Sequence, residues 1–523
     1  MTETCQYSLL TDPLLRVRNA DGERCGATLP GILSGLVGGE IVSFEALQPH
    51  QRQAWHSFLV QLAAIALART DTGELPEDAG RWAEMLLELT GGEEAPWCLV
   101  VPDVSRPAFM QSPVPEGSLE EAGYKSDVGT PDDIDMLVTS KNHDVKMRRV
   151  THPRPEHWIY SLVTLQTQEG FLGRGNYGIV RMNGGFGNRP MVGMVPGLEW
   201  SVRFARDVGI LVSARGHLVE NYGYASEGPA LLWLIPWDGA KSSGIPLEEC
   251  DPLFIEICRR LRFDATGEGL RCCRANTKAA RVAAPDDLDG VTGDPWTPVN
   301  KSESKALTVA AGGFSYRLLK DILLSGEYVA SPAMDKDGLE EDGGFLVATT
   351  LVRGQGKTEG FHHRVVPVPA KAARIFGEPS RREKLALRAQ QRVEVAATVQ
   401  RNVLYPALRA LLSAGSDEQV DSARLRRWTD AFDAAIDDVF FDDLWDAIDR
   451  PPQQARRRWE ERLHRFARQQ LENAIGACPL PSIRRYRAIS TAESIFHGAA
   501  RNQLTELFED TEQEEEHEPI AGC

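Results

Sequence analysis

The spacing of hydrophobic residues predicts both helices and strands in the first part of the chain. Apolar residues recur at helical spacing over 46–69 and 80–90, which is typical of helices that turn one face to a core. Two stretches, 200–214 (WSVRFARDVGILVSA) and 229–237 (PALLWLIPW), are strand-like and lie among many glycine and proline turns, so strands are predicted there. This mixture indicates an α+β domain that extends to about residue 375.

From Pro379 onward the pattern is helical throughout. Four segments carry apolar residues at helical spacing, interrupted by Ala-Gly-Ser, Arg-Pro-Pro and Cys-Pro-Leu-Pro; they are 381–414, 417–449, 453–477 and 482–508. Helices of this length with short connections predict an antiparallel four-helix bundle. The predicted fold class is therefore α+β: a large mixed domain over 1–375, an all-α four-helix bundle over 376–508, and an acidic disordered tail over 509–523.

Composition is that of a large cytoplasmic protein. A chain of 523 residues with 42% hydrophobic content can bury a large core and is expected to form two or more domains. The N-terminal sequence lacks the features of a signal peptide. The longest apolar stretch, 58–68, is too short to span a bilayer, so no membrane association is expected. Nine cysteines, an odd number, are interpreted as reduced thiols.

Charge is distributed unevenly along the chain, although the net charge is −17. Residues 417–449 carry 11 acidic residues and 3 arginines, and 506–518 carry 8 acidic residues and no lysine or arginine. The intervening 451–505 has 10 arginines and 4 glutamates. The acidic segments are interpreted as a solvated helix face and a disordered tail. The acidic total therefore does not exclude a nucleic-acid partner.

Residues 351–364 (LVRGQGKTEGFHHR) contain the Gly-Lys-Thr tripeptide of phosphate-binding P-loops. A P-loop also needs a glycine five positions before its Gly-Lys pair and a helix after it. Here Leu351 occupies the glycine position, and Pro367 and Pro369 follow in a strand-like stretch that opposes a helix. The pattern favours a long β-hairpin with its tip at 353–360 over an NTPase.

The segment 170–197 is unusually rich in glycine and has no acidic residue between Glu169 and Glu199. Its glycines alternate with asparagines and with Arg174, Arg181 and Arg189. Glycine lets a backbone approach a ligand closely, and basic and amide side chains suit a polyanion. The bare dinucleotide-binding pattern that it contains is weak evidence, because no helix is predicted to follow.

Two further loops, 137–149 and 271–281, are basic. Without further context, the first is best interpreted as an exposed surface loop. Cys272 and Cys273 are adjacent and cannot easily both bind one tetrahedral zinc ion, and His362 and His363 point to opposite faces of a predicted strand. No metal site, cofactor or catalytic constellation is predicted.

Several of these motifs, in this order, resemble a known family. They are SLLTDPLLRVR near the start, RPAFMQSP (106–113), VTSKNHDVK, EGFLGRGNYG, MNGGFGNRP and RGQGKTEGFHHR, followed by the helical region. Together they resemble CasA, the large subunit of the type I-E CRISPR surveillance complex Cascade, over essentially the whole chain. The resemblance implies a non-catalytic subunit that recognises the PAM beside a double-stranded DNA target, helps open the duplex for R-loop formation, and recruits a helicase–nuclease.

The resemblance also implies partners and a PAM-binding site. The partners are the CRISPR guide RNA, the target DNA, the other Cascade subunits and the helicase–nuclease. The PAM-facing glycine loop corresponds to Gly173, Arg174, Gly175 and Asn176. Lys278 is the best counterpart of the family's minor-groove lysine, with Arg281 as a competing candidate. Minor-groove edges are degenerate, so backbone contacts there should tolerate several PAM sequences.

The hairpin tip resembles the wedge that separates the first target base pair. Its candidate residues are Arg353, Gly354, Gln355, Gly356 and Lys357, with Gln355 favoured and Lys357 left open. The loop that resembles the guide-RNA handle contact comprises Thr139, Ser140, Lys141, Asn142 and His143. The zinc-binding cysteine pairs of some relatives are not reproduced, and the acidic tail has no counterpart. Besides an NTPase, a stand-alone RNA-binding protein remains an alternative, although it leaves the hairpin wedge without a purpose.

Overall fold

The computed structural model describes residues 5–137, 150–182, 189–267, 269–354, 357–413, 420–479 and 482–508. Its contacts divide the chain into two compact units. The first comprises Met1–Phe314, Glu327–Leu339 and Gly344–Val366, and the second comprises Ser315–Gly326, Glu340–Gly343 and Pro367–Cys523. The second unit thus includes the predicted bundle region together with short segments from before residue 375.

Both helices and short strands are present, as an α+β fold requires. The strands are β1 (Gln6–Ser8), β2 (Leu15–Asn19), β3 (Arg24–Ala27), β4 (Ile41–Phe44), β5 (Cys98–Val100), β6 (Lys125–Val128), β7 (Met191–Val195), β8 (Ile245–Pro246), β9 (Arg260–Thr266), β10 (Gly269–Ala275), β11 (Val282–Ala283), β12 (Val299–Asn300), β13 (Lys305–Ala306), β14 (Tyr328–Val329), β15 (Gly344–Gly354) and β16 (Lys357–Val368). The helices are α1 (Leu29–Val37), α2 (Arg52–Arg69), α3 (Ala79–Glu88), α4 (Pro155–Gln168), α5 (Trp200–Tyr222), α6 (Tyr316–Lys320), α7 (Ala370–Phe376), α8 (Pro379–Thr398), α9 (Tyr405–Ser413), α10 (Ala423–Asp437), α11 (Phe440–Asp446), α12 (Pro452–Ala477) and α13 (Ser482–Gln503). None of these helices is long and apolar enough to cross a lipid bilayer.

Helix α2 is the centre of the first unit. It is buried around its whole circumference from Gln53 to Leu67 and packs against α4 and α5, as expected of a helix with apolar residues on every side. Aromatic side chains fill the space between these helices, with Trp55 stacked on Phe58 and edge-on to Tyr160. This core fixes the C-terminal end of α4, from which the glycine-rich segment departs.

Small antiparallel sheets surround this helical core. The sheet orders that matter for the site are β6-β10-β9 and β16-β15-β7. In the first, β9 and β10 form a hairpin in which Arg260 lies opposite Ala275 and Thr266 lies opposite Gly269. In the second, β15 and β16 form the long hairpin that the sequence predicts. The mixed fold with its hairpin and helical C-terminal region is confirmed.

Two strand predictions in the first unit are wrong. Residues 200–214 belong to the long helix α5, whose buried residues Phe204, Val208, Leu211 and Leu218 follow helical spacing. Its valines suggested a strand, but tertiary burial of one face overrides that weak local preference. Residues 229–237 form a short 3₁₀ turn at Leu232–Leu234 rather than a strand. The prolines on both sides remove the amide donors that a strand ladder needs.

The second unit contains the helical region. Helices α8 and α9 are joined without a break by a π-helical segment, Val399–Leu404. The predicted second helix is divided into α10 and α11, and α12 and α13 follow. Phe440 and Trp459 meet edge-on in this core, where the Trp459 indole nitrogen donates to the carbonyl of Arg392. The helical spacing of apolar residues therefore identified the helices correctly but not the break in the second one.

Candidate nucleic-acid interface

The glycine loop, residues 170–178, is a tight turn whose geometry requires glycine. Gly173 and Gly175 have φ angles of +108° and +88°, which residues with a Cβ rarely adopt. The Asn176 amide donates to the carbonyl of Gly173 at 3.0 Å, and the Leu172 amide donates to the carbonyl of Asn176 at 3.0 Å. Arg174 lies at the crest with its side chain exposed. The loop therefore presents backbone and one cation to solvent.

The two ends of the glycine loop touch each other. A Cβ added to Gly178 would lie 2.4 Å from the carbonyl carbon of Gly170, so only glycine permits the crossing. Beside it, the Ile179 amide donates to the carbonyl of Glu169 at 3.0 Å. The Thr277 amide, just beyond β10, donates to the carbonyl of Gly175 at 3.2 Å. These contacts place the loop next to the end of β10, and with it near Lys278.

Two cations that made the segment 170–197 look suited to a polyanion are structural instead. Arg181 is buried, donates to the carbonyl of Phe254 and lies over its ring. Arg189 is buried against Asp294, with an Nε–Oδ2 distance of 2.6 Å. The interpretation that these side chains suit a polyanion is therefore wrong, because both are buried in the interior, where they contact the Asp294 carboxylate and, for Arg181, the Phe254 carbonyl. Asn183 and Asn188 lie outside the described residues.

Lys278 and Arg281, the two candidates for the minor-groove cation, have opposite environments. Lys278 is exposed, and its amide donates to the carbonyl of Gly239 at 2.7 Å. Arg281 has 0% exposure. Its guanidinium donates to backbone carbonyls that include those of Ser243 and Ile235. Burial lowers its pKa to about 10. Arg281 cannot reach a DNA groove from this position, so that alternative is wrong.

The hairpin places its predicted wedge residues in different settings. Lys357 is exposed and pairs with Glu359 at 2.7 Å. Gln355 and Gly356 lie outside the described residues. Arg353 is only 8% exposed, so its prediction as a tip residue is wrong: the alternation of the strand turns its side chain inward. The residues after Lys357 continue as a strand, which is incompatible with the helix that a P-loop requires.

Arg353 instead joins three segments at what we call the Arg353 junction, formed by Arg353, Glu169 and Met136. Its Nη1 donates to Oε2 of Glu169 at 3.0 Å and to the carbonyl of Met136 at 2.9 Å. The Thr358 hydroxyl donates to the same Met136 carbonyl at 3.2 Å. Glu169 immediately precedes the glycine loop, and Met136 precedes the predicted handle loop. That loop, Thr139–His143, lies outside the described residues.

Sequence reasoning missed the buried acids behind the glycine loop. Burial raises the pKa of Glu169, and the nearby Arg353 and Arg259 oppose that shift. Burial also raises the pKa of Glu256 to about 7, against the opposing effect of Arg181. One Glu256 oxygen accepts from the Val180 amide at 2.8 Å. Glu169 offered a signal, since it is the last acid before the acid-free segment; Glu256 offered none.

The raised pKa of Glu256 predicts a pH-dependent effect of the substitution Glu256→Gln. Since its pKa is higher folded than unfolded, the folded state binds more protons, and wild-type stability is lost as the pH rises from about 4.5 to 7. The loss is on the order of 1 kcal/mol per pH unit. The side-chain oxygen of glutamine can still accept the hydrogen bond from the Val180 amide, but glutamine carries no negative charge. The free energy of unfolding of the variant should therefore increase relative to wild type between pH 5 and pH 8. Parallel urea denaturation curves would show this, and a pH-independent difference would contradict it.

The described cysteines are free thiols, and no cluster of three or more His, Cys, Asp or Glu side chains that could hold a metal ion occurs in the described ranges. Cys272 is buried, whereas Cys273 is partly exposed on the other face of β10. The groups that the described part of this candidate interface offers to nucleic acid are therefore backbone amides and carbonyls, basic side chains and side-chain amides.

Comparison with known proteins gives a consistent result. The family model for the CRISPR-associated protein Cse1 matches residues 8–470. No curated protein sequence matches the chain. Among solved structures, Cse1 from Thermobifida fusca has a TM-score of 0.62 at 16% identity, covering 96% of this chain and 98% of that one. A CRISPR-associated protein from Thermus thermophilus has a TM-score of 0.61 at 15% identity, covering 96% and 100%.

A third similar structure is a chain of a "CRISPR RNA-guided surveillance complex", with a TM-score of 0.58 at 14% identity and coverage of 94% and 100%. At these identities the structures support the fold, while the family model covers most of the sequence. The chain belongs to the CRISPR-associated Cse1 family, the CasA-type subunits of Cascade.

Proposed function

We propose that this protein is the non-catalytic subunit of a Cascade complex that recognises the PAM and helps open target DNA. Membership of the Cse1 family supports this assignment. Its partners are then the guide RNA, double-stranded target DNA, the other Cascade subunits and a helicase–nuclease that is recruited after target binding.

The observation that carries the proposal is the convergence of three segments at the Arg353 junction. The hairpin, the glycine loop and the residue that leads to the handle loop are joined through one guanidinium group. A protein that reads a PAM, opens the adjacent base pair and holds the guide must position three contacts relative to one another. The junction supplies a rigid connection for that purpose.

In the proposed complex, the glycine loop and Lys278 approach the minor groove of the PAM duplex. The crest of the loop offers backbone groups and Arg174, and Lys278 offers an ammonium group with three donors. Minor-groove acceptors are similar for A·T and T·A pairs, so this arrangement favours a relaxed PAM preference. Lys357 or Gln355, at the hairpin tip, serves as the wedge.

The proposal excludes nucleotide hydrolysis by the hairpin. Leu351 is buried where a P-loop has its first glycine, and a strand follows Lys357. No backbone cradle for phosphate at a helix N-terminus is therefore formed by the described part of this motif.

The substitution Gly173→Asp tests the glycine loop. Space beside Gly173 is open, with no atom within 4 Å of an added Cβ, so the main effects are a negative charge and a strained turn facing the DNA. PAM-dependent duplex binding by the assembled complex should weaken by about tenfold or more. Gel shifts with PAM and non-PAM duplexes would measure this.

The matched control is Gly22→Asp, in the turn between β2 and β3. Gly22 also has a positive φ, +83°, and open space around it, so it carries the same charge change and a similar backbone strain. PAM discrimination should be unchanged in this control. Equal PAM discrimination in wild type and Gly173→Asp would remove the glycine loop from the site.

A further inference from the structure

A polar cavity of about 480 Å³ lies in the first unit beside the glycine loop. Its walls come from the glycine loop, from the adjacent ends of β6, β9 and β10, and from the Arg353 junction. A volume of this size falls within the range of sites for small ligands, about 300–1,000 Å³. Both the loop and the junction belong to the proposed PAM-binding apparatus, and the cavity lies beside them.

The floor of the cavity contains two buried guanidinium groups with unused donors. Arg259 is 8% exposed and Arg260 is 4% exposed. Within the described part of the chain, Nη2 of Arg259 and both Nε and Nη2 of Arg260 have no hydrogen-bond partner. The carboxylate of Glu116 is 3.7 Å from Nη2 of Arg260, beyond hydrogen-bonding distance. Buried donors without acceptors are costly, so an anion in the cavity would stabilise them.

The mouth of the cavity adds further positive charge. Lys125 on β6 lies opposite Arg274 on β10 in the antiparallel register, and both side chains are exposed. Asn176 and Asn276, also at the cavity, can both donate and accept hydrogen bonds.

Each carboxylate that lines the cavity in the described part of the chain has at least one partner. Asp133 accepts from the amides of Gly129 and Thr130. Asp135 bonds to His50 and to the Leu137 amide. Glu169 pairs through Oε2 with Arg353, and its Oε1 is the one oxygen of these three described carboxylates that is buried without a hydrogen-bond partner. The unused hydrogen-bonding capacity at the floor therefore belongs mainly to cations. This is the chemistry of a phosphate site, in which planar guanidinium groups bind oxygens in pairs.

We propose that this cavity binds one nucleotide of a nucleic-acid strand, with its phosphate against Arg259 and Arg260 and its base beside Asn176 and Asn276. The nature of the ligand rests on the proposed function. Apolar side chains such as Leu172 and Leu261 in the same wall provide a surface for the base. The nucleotide comes either from the guide RNA or from a strand of the opened target, since both have the required phosphate and base.

Thermal melting of the isolated full-length chain tests this proposal. The probes are the tetranucleotides (rA)4 and (dA)4 and, separately, inorganic phosphate, each at millimolar concentration and equal ionic strength. At least one tetranucleotide should raise the melting temperature by roughly 1–3 °C, and phosphate should raise it less. A larger shift with RNA identifies the guide as the source, and a larger shift with DNA identifies the target.

Two variants locate the binding. Arg260→Met removes the floor cation, and Lys125→Gln removes a cation at the exposed mouth, where folding should be unaffected. Both should weaken tetranucleotide binding by about tenfold or more. Arg262→Met is the matched control: Arg262 is also buried on β9 and also has two guanidinium nitrogens without a hydrogen-bond partner, but its Nη2 donates to the carbonyls of Val101 and Asp103 and it is not among the residues that line the cavity. It should keep the ligand-induced shift even if its own melting temperature is lower.

Three results would overturn the proposal: no shift with either tetranucleotide, an equal shift with phosphate alone, or a shift that persists in both Arg260→Met and Lys125→Gln. These measurements use single strands without a PAM and no other subunit. Their failure would therefore leave the PAM-discrimination test of Gly173→Asp in the assembled complex unaffected. Conversely, loss of the PAM function would not remove a tetranucleotide shift that depends on Arg260.

Discussion

Replacing Arg353 with methionine should lower the free energy of unfolding by about 3–5 kcal/mol, as expected when one partner of a buried ion pair is removed. The substitution leaves the carboxylate of Glu169 buried without its counter-charge and the Met136 carbonyl without one donor. Urea denaturation followed by tryptophan fluorescence would measure the change, since the first unit contains most of the described tryptophans.

Two controls distinguish the junction from an ordinary ion pair. Lys357→Met, on the same hairpin, removes a pair whose lysine side chain is 52% exposed, and it should cost less than about 1 kcal/mol. In the double variant Glu169→Gln/Arg353→Met, no uncompensated charge remains, so part of the lost stability should return. If Arg353→Met is as stable as wild type, the junction does not hold the three segments together.

Alanine substitution of residues 355–357 should slow R-loop formation on a fully paired target by roughly 10–100-fold. Opening the first base pair costs on the order of a few kcal/mol per step. A wedge lowers that cost because its side chain fills the space between the separated bases. A fluorescent base analogue at the first target position would report strand opening. Guide binding and assembly of the complex should be unaffected in this variant.

A target with a pre-melted bubble beside the PAM provides the control for the wedge. The unstacking cost is then absent for both proteins, so the defect of the variant should shrink. If the hairpin tip only contacts phosphate, the defect should persist on the bubble and the salt dependence of binding should decrease. Equal defects on paired and bubbled targets would eliminate the wedge.

The patterns that were predicted correctly are those that depend on repetition along the chain. In the long hairpin and the C-terminal helices, the pattern of apolar residues extends over enough positions to indicate the type of secondary structure. Helix α5 was predicted as a strand because Val202, Val208 and Val212 favour strands locally, although Phe204, Val208 and Leu211 have helical spacing. Local preference and periodicity conflicted there, and the burial of one helical face determined the structure.

The site was predictable where the backbone itself required a residue type. Gly173 and Gly175 occupy positive φ angles, and such turns leave a recognisable glycine pattern. The burial of Arg181, Arg281 and Arg353 was not predictable, because an arginine in a basic segment has the same sequence signature whether it faces solvent or a distant carboxylate. Their partners, such as Asp294 and Glu169, are identified only by the tertiary fold.

The contact between Gly170 and Gly178 has a consequence for engineering. Because their backbones meet and the Ile179 amide donates to the carbonyl of Glu169 directly beside them, the intervening residues form a closed ring whose two ends are held together. Residues 171, 172, 174, 176 and 177 thus form a cassette: we expect that their side chains can be varied while Gly173 and Gly175 keep the positive φ angles of the turn. Libraries confined to this cassette would search for altered target preference without sampling the core.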